Sequence, residues 1–265
     1  MSDPIELSID DGLARITLNR PRRLNAFNAE LGRAWTRVAR DVTSRDDVGA
    51  VLLSGAGPAF CAGGDVAEMA GTMGSGAEMR ELAQTINDGI VALTHSAIPV
   101  VAAVHGATAG GGLGILLSSD YAVAGSSARF ASRYAGIGLT PDLSVTAHLA
   151  RAVGERRALQ LVLSERMLSA DEALEWGLVA EVVPDDAMLT RAEEVARSWL
   201  AGATHAYGLA KQLIRSSPSR TFVEQLDLEA RTIAGRFDTA DAQARIAAFV
   251  DSSLRRRAER GTSPG

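Results

Sequence analysis

The hydrophobic and polar positions in the first half of the chain follow strand and helix periods in turn. Two runs of strand-like alternation, 5–9 and 14–18, flank the turn Asp10-Asp11-Gly12, which predicts a β-hairpin. From Asn28, a good N-cap residue, apolar residues recur at helical spacing and predict an amphipathic helix that ends near Asp46. The same reading predicts a buried strand over 50–54, a helix over 78–94, and strands over 99–105 and 121–125.

Strands that alternate with helices favour mostly parallel sheets covered by helices, which makes the expected fold class α/β. After residue 143 the pattern becomes mainly helical, with a capping box formed by Ser169 and Glu172 and a brief strand over 179–183. We therefore expect a core region over 1–185 and a helical region over 186–265. Helices of the second region are predicted over 187–200, 205–216, 219–236 and 240–257.

Composition and charge disfavour several classes of protein. The 265 residues, 46% hydrophobic and 22% charged, suit a globular protein with a substantial core. The formal net charge of −5 shows no excess of basic residues of the kind that binds nucleic acid. We interpret the run Arg255, Arg256 and Arg257 as a solvated helix face. Cys61 is the only cysteine, so a reducing compartment is favoured. Since neither a signal peptide nor an apolar run of about 18 residues is evident, we expect a cytoplasmic protein without a membrane partner.

Two glycine-rich segments are the most informative part of the sequence. The first, 59–65, follows the predicted strand 50–54, and the second, 104–114, joins an apolar strand to an apolar helix. Glycine in such segments supplies positive φ or close backbone packing, or it exposes backbone N–H groups to a ligand. Neither segment contains the Gly-Lys-Ser/Thr of a P-loop or fits a dinucleotide fingerprint, which disfavours the binding of nucleotide phosphates.

Taken together and in this order, these segments resemble the crotonase superfamily, also called the enoyl-CoA hydratase/isomerase family. The resemblance spans most of the chain. It implies a spiral of ββα turns followed by a helical C-terminal oligomerisation region, assembled as a homotrimer or a dimer of trimers. The residues that carry it are Asn19-Arg20-Pro21 with Asn25-Ala26, the segment 60–65, the segment 106–112 with Asp120, the segment 136–142, and Trp176-Gly177-Leu178-Val179.

The resemblance also implies roles for individual residues. Gly64 and Gly111 match positions whose backbone N–H groups donate to the thioester carbonyl oxygen of an acyl-CoA and form an oxyanion hole. Each such donor stabilises the enolate formed on loss of the α-proton by about 3 to 4 kcal/mol. CoA is then part of the substrate, and we expect neither a permanently bound cofactor nor a metal, because the four histidines lack ligand spacing. The positions that match CoA contacts in the family are Arg22, Arg23, Leu24, Ala62 and Asp65.

The catalytic acid or base is where the chain departs from the hydratases that it resembles. The two hydratase glutamates fall at Gly114 and Tyr134, and neither residue replaces a carboxylate base at neutral pH. Asp142 remains, at a position where enoyl-CoA isomerases and ring-epoxide isomerases place an acidic catalytic residue. Its alternative role is to cap a helix that starts at Leu143.

We expect Asp142 to remove a proton from C2 of a 3-enoyl-CoA and to return it at C4. Burial would raise the pKa of its carboxyl from about 3.9 towards the operating pH, which improves it as a base and then as an acid. Tyr134 is expected to line the pocket, either as a wall or as an orienting hydroxyl.

Other functions stay open at this point. In an enoyl-CoA hydratase, Asp142 alone would have to activate water. In an enzyme similar to 4-chlorobenzoyl-CoA dehalogenase, Asp142 would attack an aromatic ring, but that group also uses a general-base histidine, and the sequence does not place His95 in that role. A silent acyl-CoA binder or an RNA-binding relative is the non-enzymatic alternative, and the negative net charge disfavours RNA.

Overall fold

The computed structural model describes residues 3–261 of the chain, without the side chains of residue 254 and residues 256–261. In chain order its strands are β1 (Ile5–Asp10), β2 (Leu13–Leu18), β3 (Ala50–Gly55), β4 (Val100–Val104), β5 (Ala107–Ala109), β6 (Tyr121–Gly125), β7 (Arg129–Ala131), β8 (Met167–Ser169) and β9 (Glu181–Val183). The α-helices are α1 (Ala29–Thr43), α2 (Val66–Thr72), α3 (Gly76–His95), α4 (Gly111–Leu117), α5 (Val145–Val153), α6 (Glu155–Val162), α7 (Ala170–Trp176), α8 (Met188–Ala201), α9 (Thr204–Ser216), α10 (Phe222–Phe237) and α11 (Ala240–Gly261).

Six strands form the main sheet in the order β1-β2-β3-β4-β6-β9. The antiparallel pair β1 and β2 confirms the predicted hairpin, and the other neighbouring pairs of this sheet are parallel. At its turn Asp11 and Gly12 adopt φ values of 48° and 79°, a left-handed conformation that aspartate and glycine tolerate better than most residues. The parallel strands β3 and β4 are apolar runs because both of their faces are covered.

One side of the sheet shares an apolar core with α1 and α3. Asn28 caps α1 as predicted, with its side chain accepting a hydrogen bond from the Leu31 N–H at 2.9 Å. The buried Trp35 of α1 donates from Nε1 to the Ile86 carbonyl of α3 at 3.2 Å. A Cβ at Gly89 would lie 2.4 Å from that nitrogen, so the close approach of the two helices requires glycine there.

The opposite side of the sheet is covered by α8, whose Ala192 and Ala196 pack in a second apolar cluster with Leu52 and Val101. Because of this packing, α8 belongs to the first of the two compact units of the chain. The first compact unit runs to Gln212 and the second begins at Leu213, later than the boundary that we predicted at residue 185. The difference arises because α8 completes the helix–sheet–helix layering of the core.

A small second sheet has the order β5-β7-β8 and connects the parts of the chain that carry the candidate site. Ala109 pairs with Ala131 across β5 and β7, so the segment that follows β7 begins beside the second glycine segment. The capping box at Ser169 and Glu172 is confirmed at the start of α7. The three-residue strands of this sheet were not predicted, because so short a run shows no recognisable alternation.

The second unit contains the two long helices α10 and α11. A capping box starts α10, with Thr221 donating its N–H to Glu224 at 2.8 Å and accepting from the Glu224 N–H at 3.3 Å. Several large apolar side chains of this unit face solvent, among them Phe222 at 77%, Ile233 at 71% and Phe249 at 70% exposure. Such a surface is typical of a protein contact site.

Two expectations concern the end of the chain and its relation to membranes. Arg255 is exposed, whereas the side chains of Arg256 and Arg257 lie outside the described residues, so the solvated basic face stays a prediction. None of the helices in the part of the chain that the structure describes is both long and apolar enough to cross a membrane.

Candidate active site

The first glycine segment is held by backbone hydrogen bonds on two sides. On one side Phe27 donates its N–H to the Gly63 carbonyl at 2.7 Å and accepts from the Asp65 N–H at 2.8 Å. On the other side Cys61 donates to Ala107 at 3.2 Å and accepts from Ala109 at 3.0 Å. The segment therefore runs as an extended strand between residue 27 and β5.

Glycine brings the two segments into contact. Gly63 has φ of 108°, and a Cβ there would lie 2.8 Å from the Ala109 carbonyl oxygen and 3.4 Å from the Gly111 nitrogen. Gly110, with φ of 51°, is the N-cap of α4. Both conformations are strained for residues with a side chain, which explains why the sequence has glycine at these two positions.

The backbone N–H groups of Gly64 and Gly111 make no hydrogen bond within residues 3–261. Both glycines line one cavity of about 560 Å³. Unpaired backbone donors are uncommon beneath a protein surface unless a ligand or water accepts from them. The arrangement fits the predicted oxyanion hole, although that role stays a prediction.

Asp142 lines the same cavity and accepts a hydrogen bond on Oδ1 from the Tyr134 hydroxyl at 2.6 Å. Partial burial raises the pKa of the Asp142 carboxyl above its ordinary value, and the hydrogen bond from Tyr134 partly opposes that rise. Burial, followed by the charge of Asp142, raises the pKa of Tyr134, so its hydroxyl stays protonated and acts as the donor. Of the two roles considered for Tyr134, the hydrogen bond favours the orienting hydroxyl, and the group that it orients is the Asp142 carboxylate.

The alternative role of Asp142 as a helix cap is wrong. The helix α5 begins at Val145 rather than Leu143, its N-cap residue is Ser144, and no side chain caps it. The Asp142 carboxylate instead turns to Tyr134 and the cavity. No side chain of another described residue forms a hydrogen bond with its second oxygen, which leaves that oxygen available to a substrate.

Most of the cavity wall is apolar. Its residues come from the two glycine segments, from α2 and α3, and from the stretch between β7 and α5, together with Phe27 and Glu165. The main apolar contributors are Phe27, Val66, Met69, Met79, Leu82, Ala83, Ile86, Ile137, Leu139 and Leu143. A cavity of this volume with few polar groups suits an acyl chain or a ring.

The predicted CoA contacts are divided between this cavity and a second one. Ala62 lines the cavity that contains Asp142, whereas Arg22 and Arg23 line a surface groove of about 480 Å³ together with Arg20. Leu24 lies at the end of that arginine segment, exposed and with φ of 51°. Its carbonyl accepts a hydrogen bond from the Ala62 N–H at 3.0 Å, so the two groups of predicted contacts are joined through the backbone.

Asp65 lines neither cavity. It is buried, caps α2 by accepting from the Glu68 N–H at 3.2 Å, and forms an ion pair with Arg20 at 3.2 Å. The Arg20 guanidinium also donates to the Ala26 carbonyl. These contacts fix the Asp65 side chain at the end of the first glycine segment, and a direct contact to CoA stays a prediction.

Cysteine and histidine take no visible part in the site. The Cys61 thiol is buried beside the Asn25 carbonyl, and burial raises its pKa to about 12, which keeps it protonated. No histidine lines the cavity within the described residues, and His95 ends α3. Within residues 3–261, no cluster of three or more His, Cys, Asp or Glu side chains has the arrangement of a metal site.

Some cavity residues were not predicted from the sequence. Met69 of α2 contacts the first glycine segment, since a Cβ at Gly64 would lie 2.4 Å from its methyl carbon. Arg133 and Glu165 form an ion pair of 2.9 Å on the cavity wall. The apolar spacing of Leu82 and Ile86 on α3 was a usable signal, but the ion pair joins residues 32 positions apart in the sequence and gave none.

Comparisons with known proteins agree with this geometry. The family model for enoyl-CoA hydratase/isomerase matches residues 8–256. The chain is 35% identical to 1,2-epoxyphenylacetyl-CoA isomerase of Escherichia coli (strain K12) over 246 residues, which cover 91% of this chain and 93% of the relative. It is 34% identical to 4-chlorobenzoyl coenzyme A dehalogenase-2 of Arthrobacter sp over 255 residues, covering 95% and 92%.

Among solved structures, an enoyl-CoA hydratase of Mycobacterium smegmatis superposes with a TM-score of 0.90 at 27% identity, covering 95% of this chain and 97% of that one. Both the fold and the resemblance inferred from the glycine segments are therefore confirmed. The family includes isomerases, hydratases and dehalogenases, so membership alone does not select the reaction. The chain belongs to the enoyl-CoA hydratase/isomerase family of the crotonase superfamily.

Proposed function

We propose that the protein is an acyl-CoA isomerase that moves the double bond of a 3-enoyl-CoA with Asp142 as its single acid and base. The observation that carries this proposal is the environment of the cavity carboxylates. Glu165 is 66% exposed and paired with Arg133, whereas Asp142 is partly buried and has no cation within ion-pair distance among the described residues. A desolvated carboxylate is the stronger base and the one suited to proton transfer.

The reaction balances with one carboxylate and no further reactant. The free oxygen of Asp142 takes the proton from C2, and the electrons of that C–H bond form a dienolate across C1 to C4. The N–H groups of Gly64 and Gly111 hold the developing charge on the thioester oxygen. Asp142 then returns the proton to C4, which gives the 2-enoyl-CoA. The CoA arrives with the substrate, so this chemistry needs no permanently bound cofactor.

Removing the carboxylate tests this proposal. Replacing Asp142→Asn should lower kcat for the conversion of 3-hexenoyl-CoA to 2-hexenoyl-CoA by about 10² to 10⁴, the usual contribution of a general base. The rate is followed as the absorbance of the conjugated thioester. The affinity for saturated hexanoyl-CoA, measured by calorimetry, should change by less than about threefold because the oxyanion hole remains.

Glu165→Gln is the comparison variant, since it neutralises the other carboxylate of the cavity. Turnover by Asp142→Asn at the wild-type rate would contradict the proposal. So would a loss in Glu165→Gln as large as that in Asp142→Asn, because the base would then be Glu165.

A second candidate is isomerisation of an epoxide on an aromatic acyl group, as named for the Escherichia coli relative. It is supported by the 35% identity and uses the same Asp142, so the two variants can be tested on 1,2-epoxyphenylacetyl-CoA in parallel. Hydration and dehalogenation have less support. The two hydratase glutamate positions hold Gly114 and Tyr134, and no histidine lines the cavity within the described residues.

We also propose that the protein assembles as a homotrimer or a dimer of trimers. The exposed apolar side chains of α10 and α11 support this, because a surface of that kind is stable in water when another protein covers it.

A further inference from the structure

Two glycines of α4 share a helix face on which residue 143 rests. Gly111 and Gly114 are three positions apart and therefore lie on the same side of the helix. A Cβ at Gly111 would lie 2.7 Å from the Leu143 Cδ1 atom. A Cβ at Gly114 would lie 1.9 Å from the Leu143 carbonyl oxygen and 2.9 Å from its carbonyl carbon. The side chain of Leu143 thus covers Gly111, and its main chain occupies the space of a side chain at position 114.

The backbone at this contact has an unusual conformation. Leu143 and Ser144 are consecutive residues with φ values of 48° and 68°, although neither is glycine. Left-handed conformations of residues with side chains are disfavoured and persist only where the surroundings hold them. The contact with α4 is one such restraint, since the Leu143 carbonyl is in van der Waals reach of a glycine that cannot be enlarged without displacing it.

Asp142 directly precedes this strained pair. Its side chain is fixed by the Tyr134 hydroxyl at 2.6 Å, and its main chain continues into the Leu143 carbonyl that packs on Gly114. A displacement of the Leu143 carbonyl by the width of a methyl group would therefore move the Asp142 backbone. A misplacement of about 1 Å at a reacting group is enough to cost about 10²-fold in rate.

We propose that Gly114 is a positioning residue for Asp142. This inference rests on the proposed function of Asp142 as the base. Catalysis then requires glycine at position 114, because the absence of a side chain leaves room for the backbone turn that presents Asp142 to the cavity. The same backbone excludes a glutamate at position 114, so a carboxylate there and Asp142 in its present place are alternative arrangements that this chain cannot hold together.

Replacing Gly114→Ala tests the proposal. We expect kcat for 3-hexenoyl-CoA to fall by about 10²-fold, with KM changed by less than about threefold, because placement of the base is disturbed while the oxyanion hole is kept. Gly71→Ala is the matched control, since Gly71 is also a helical glycine and a Cβ there, on α2, meets no atom within 4 Å. Turnover of Gly114→Ala within about twofold of the wild type would overturn the proposal.

A double-mutant cycle separates positioning from a general structural effect. In the Asp142→Asn background, Gly114→Ala should cause no further loss of kcat, because the group through which it acts is already gone. A loss of full size in that background would overturn the inference. If Asp142→Asn itself keeps wild-type turnover, the proposed function fails instead, so the two failures are distinguishable.

Ser144→Val changes the same turn at a residue outside α4, and it keeps the proposal testable if Gly114→Ala does not fold. A β-branched residue is strongly disfavoured at positive φ, so this variant should shift the turn and lower kcat by about tenfold or more. The loss should again vanish in the Asp142→Asn background. An unchanged kcat for Ser144→Val, in a variant whose circular dichroism matches the wild type, would overturn the proposal.

Discussion

At the scale of single residues, the pair of Tyr134 and Asp142 brings two opposing effects to one carboxylate. Burial raises the pKa of Asp142, which strengthens it as a base, and the Tyr134 hydroxyl stabilises its charged form. If Asp142 is the proposed base, it must be ionised to accept the C2 proton, so the rate should fall as the pH drops through the pKa of Asp142. That acid limb should lie above the ordinary range of an aspartate.

Tyr134→Phe should move this limb to still higher pH. The substitution removes the hydrogen bond that lowers the pKa of Asp142 but keeps the ring that desolvates it, so a larger part of the carboxyl is protonated at a given pH. The pH profile of kcat/KM measures the shift. Tyr121→Phe is the matched control, because the Tyr121 hydroxyl donates to Glu181 and lies outside the cavity. A limb that stays in place or moves to lower pH would contradict the assigned hydrogen bond.

Single residues also mark the limit of what the sequence could predict about the site. The candidates Gly64, Gly111, Tyr134 and Asp142 come from motifs that are local in sequence, and the structure brings all four to one cavity. The contact between Gly114 and Leu143 could not be predicted. It depends on a turn of two left-handed residues, and a sequence without glycine at those positions gives no sign of such a turn.

At the scale of elements, α9 is attached to the core through the only lysine of the chain, Lys211. Its ammonium group is buried, donates to the Leu93 and Ile98 carbonyls at 2.8 and 2.7 Å, and pairs with Asp120 at 2.9 Å. Asp120 also accepts from the Val100 N–H at the start of β4. The Asp120 of the family resemblance thus has a structural task in joining α9, the end of α3 and the sheet.

Lys211→Met should lower the free energy of unfolding by about 3 to 5 kcal/mol, because it leaves the Asp120 charge and two carbonyls without their buried partner. Urea denaturation measures the change. Arg45→Met is a suitable control, since it breaks an exposed ion pair with Asp47 and should leave the free energy of unfolding almost unchanged. Equal losses of unfolding free energy in the two variants would show that the buried contacts of Lys211 stabilise the fold no more than an exposed ion pair does.

Long elements were predictable from their period, whereas several of the short ones were not. The predicted strand 50–54 and the observed β3 nearly coincide, because β3 is an apolar run bounded by polar loops. The helix α2 was missed, since its seven residues contribute none to the buried core. The predicted end of α1 near Asp46 was three residues too late, because frayed helix ends carry weak signals.

At the scale of the whole molecule, the exposed apolar residues of the second unit lead to a prediction about assembly. If α10 and α11 form subunit contacts, Phe249→Glu should lower the particle mass measured by light scattering from that of a trimer or hexamer towards a monomer. Gln84→Glu adds the same charge at an exposed polar position of α3 and should leave the mass unchanged. A monomeric wild type, or an unaltered mass of Phe249→Glu, would contradict the proposed assembly.

The burial of Lys211 has a consequence for a protein that handles activated thioesters. Thioesters acylate exposed amines and ionised thiols, and the side chains capable of this reaction here are one lysine and one cysteine. The lysine is 7% exposed and fully engaged, and the cysteine is buried with a pKa of about 12. Apart from the four histidines, the other basic side chains are arginine guanidinium groups, which stay protonated and are poor nucleophiles. We therefore expect neither Lys211 nor Cys61 to be acylated by a bound thioester while the chain is folded.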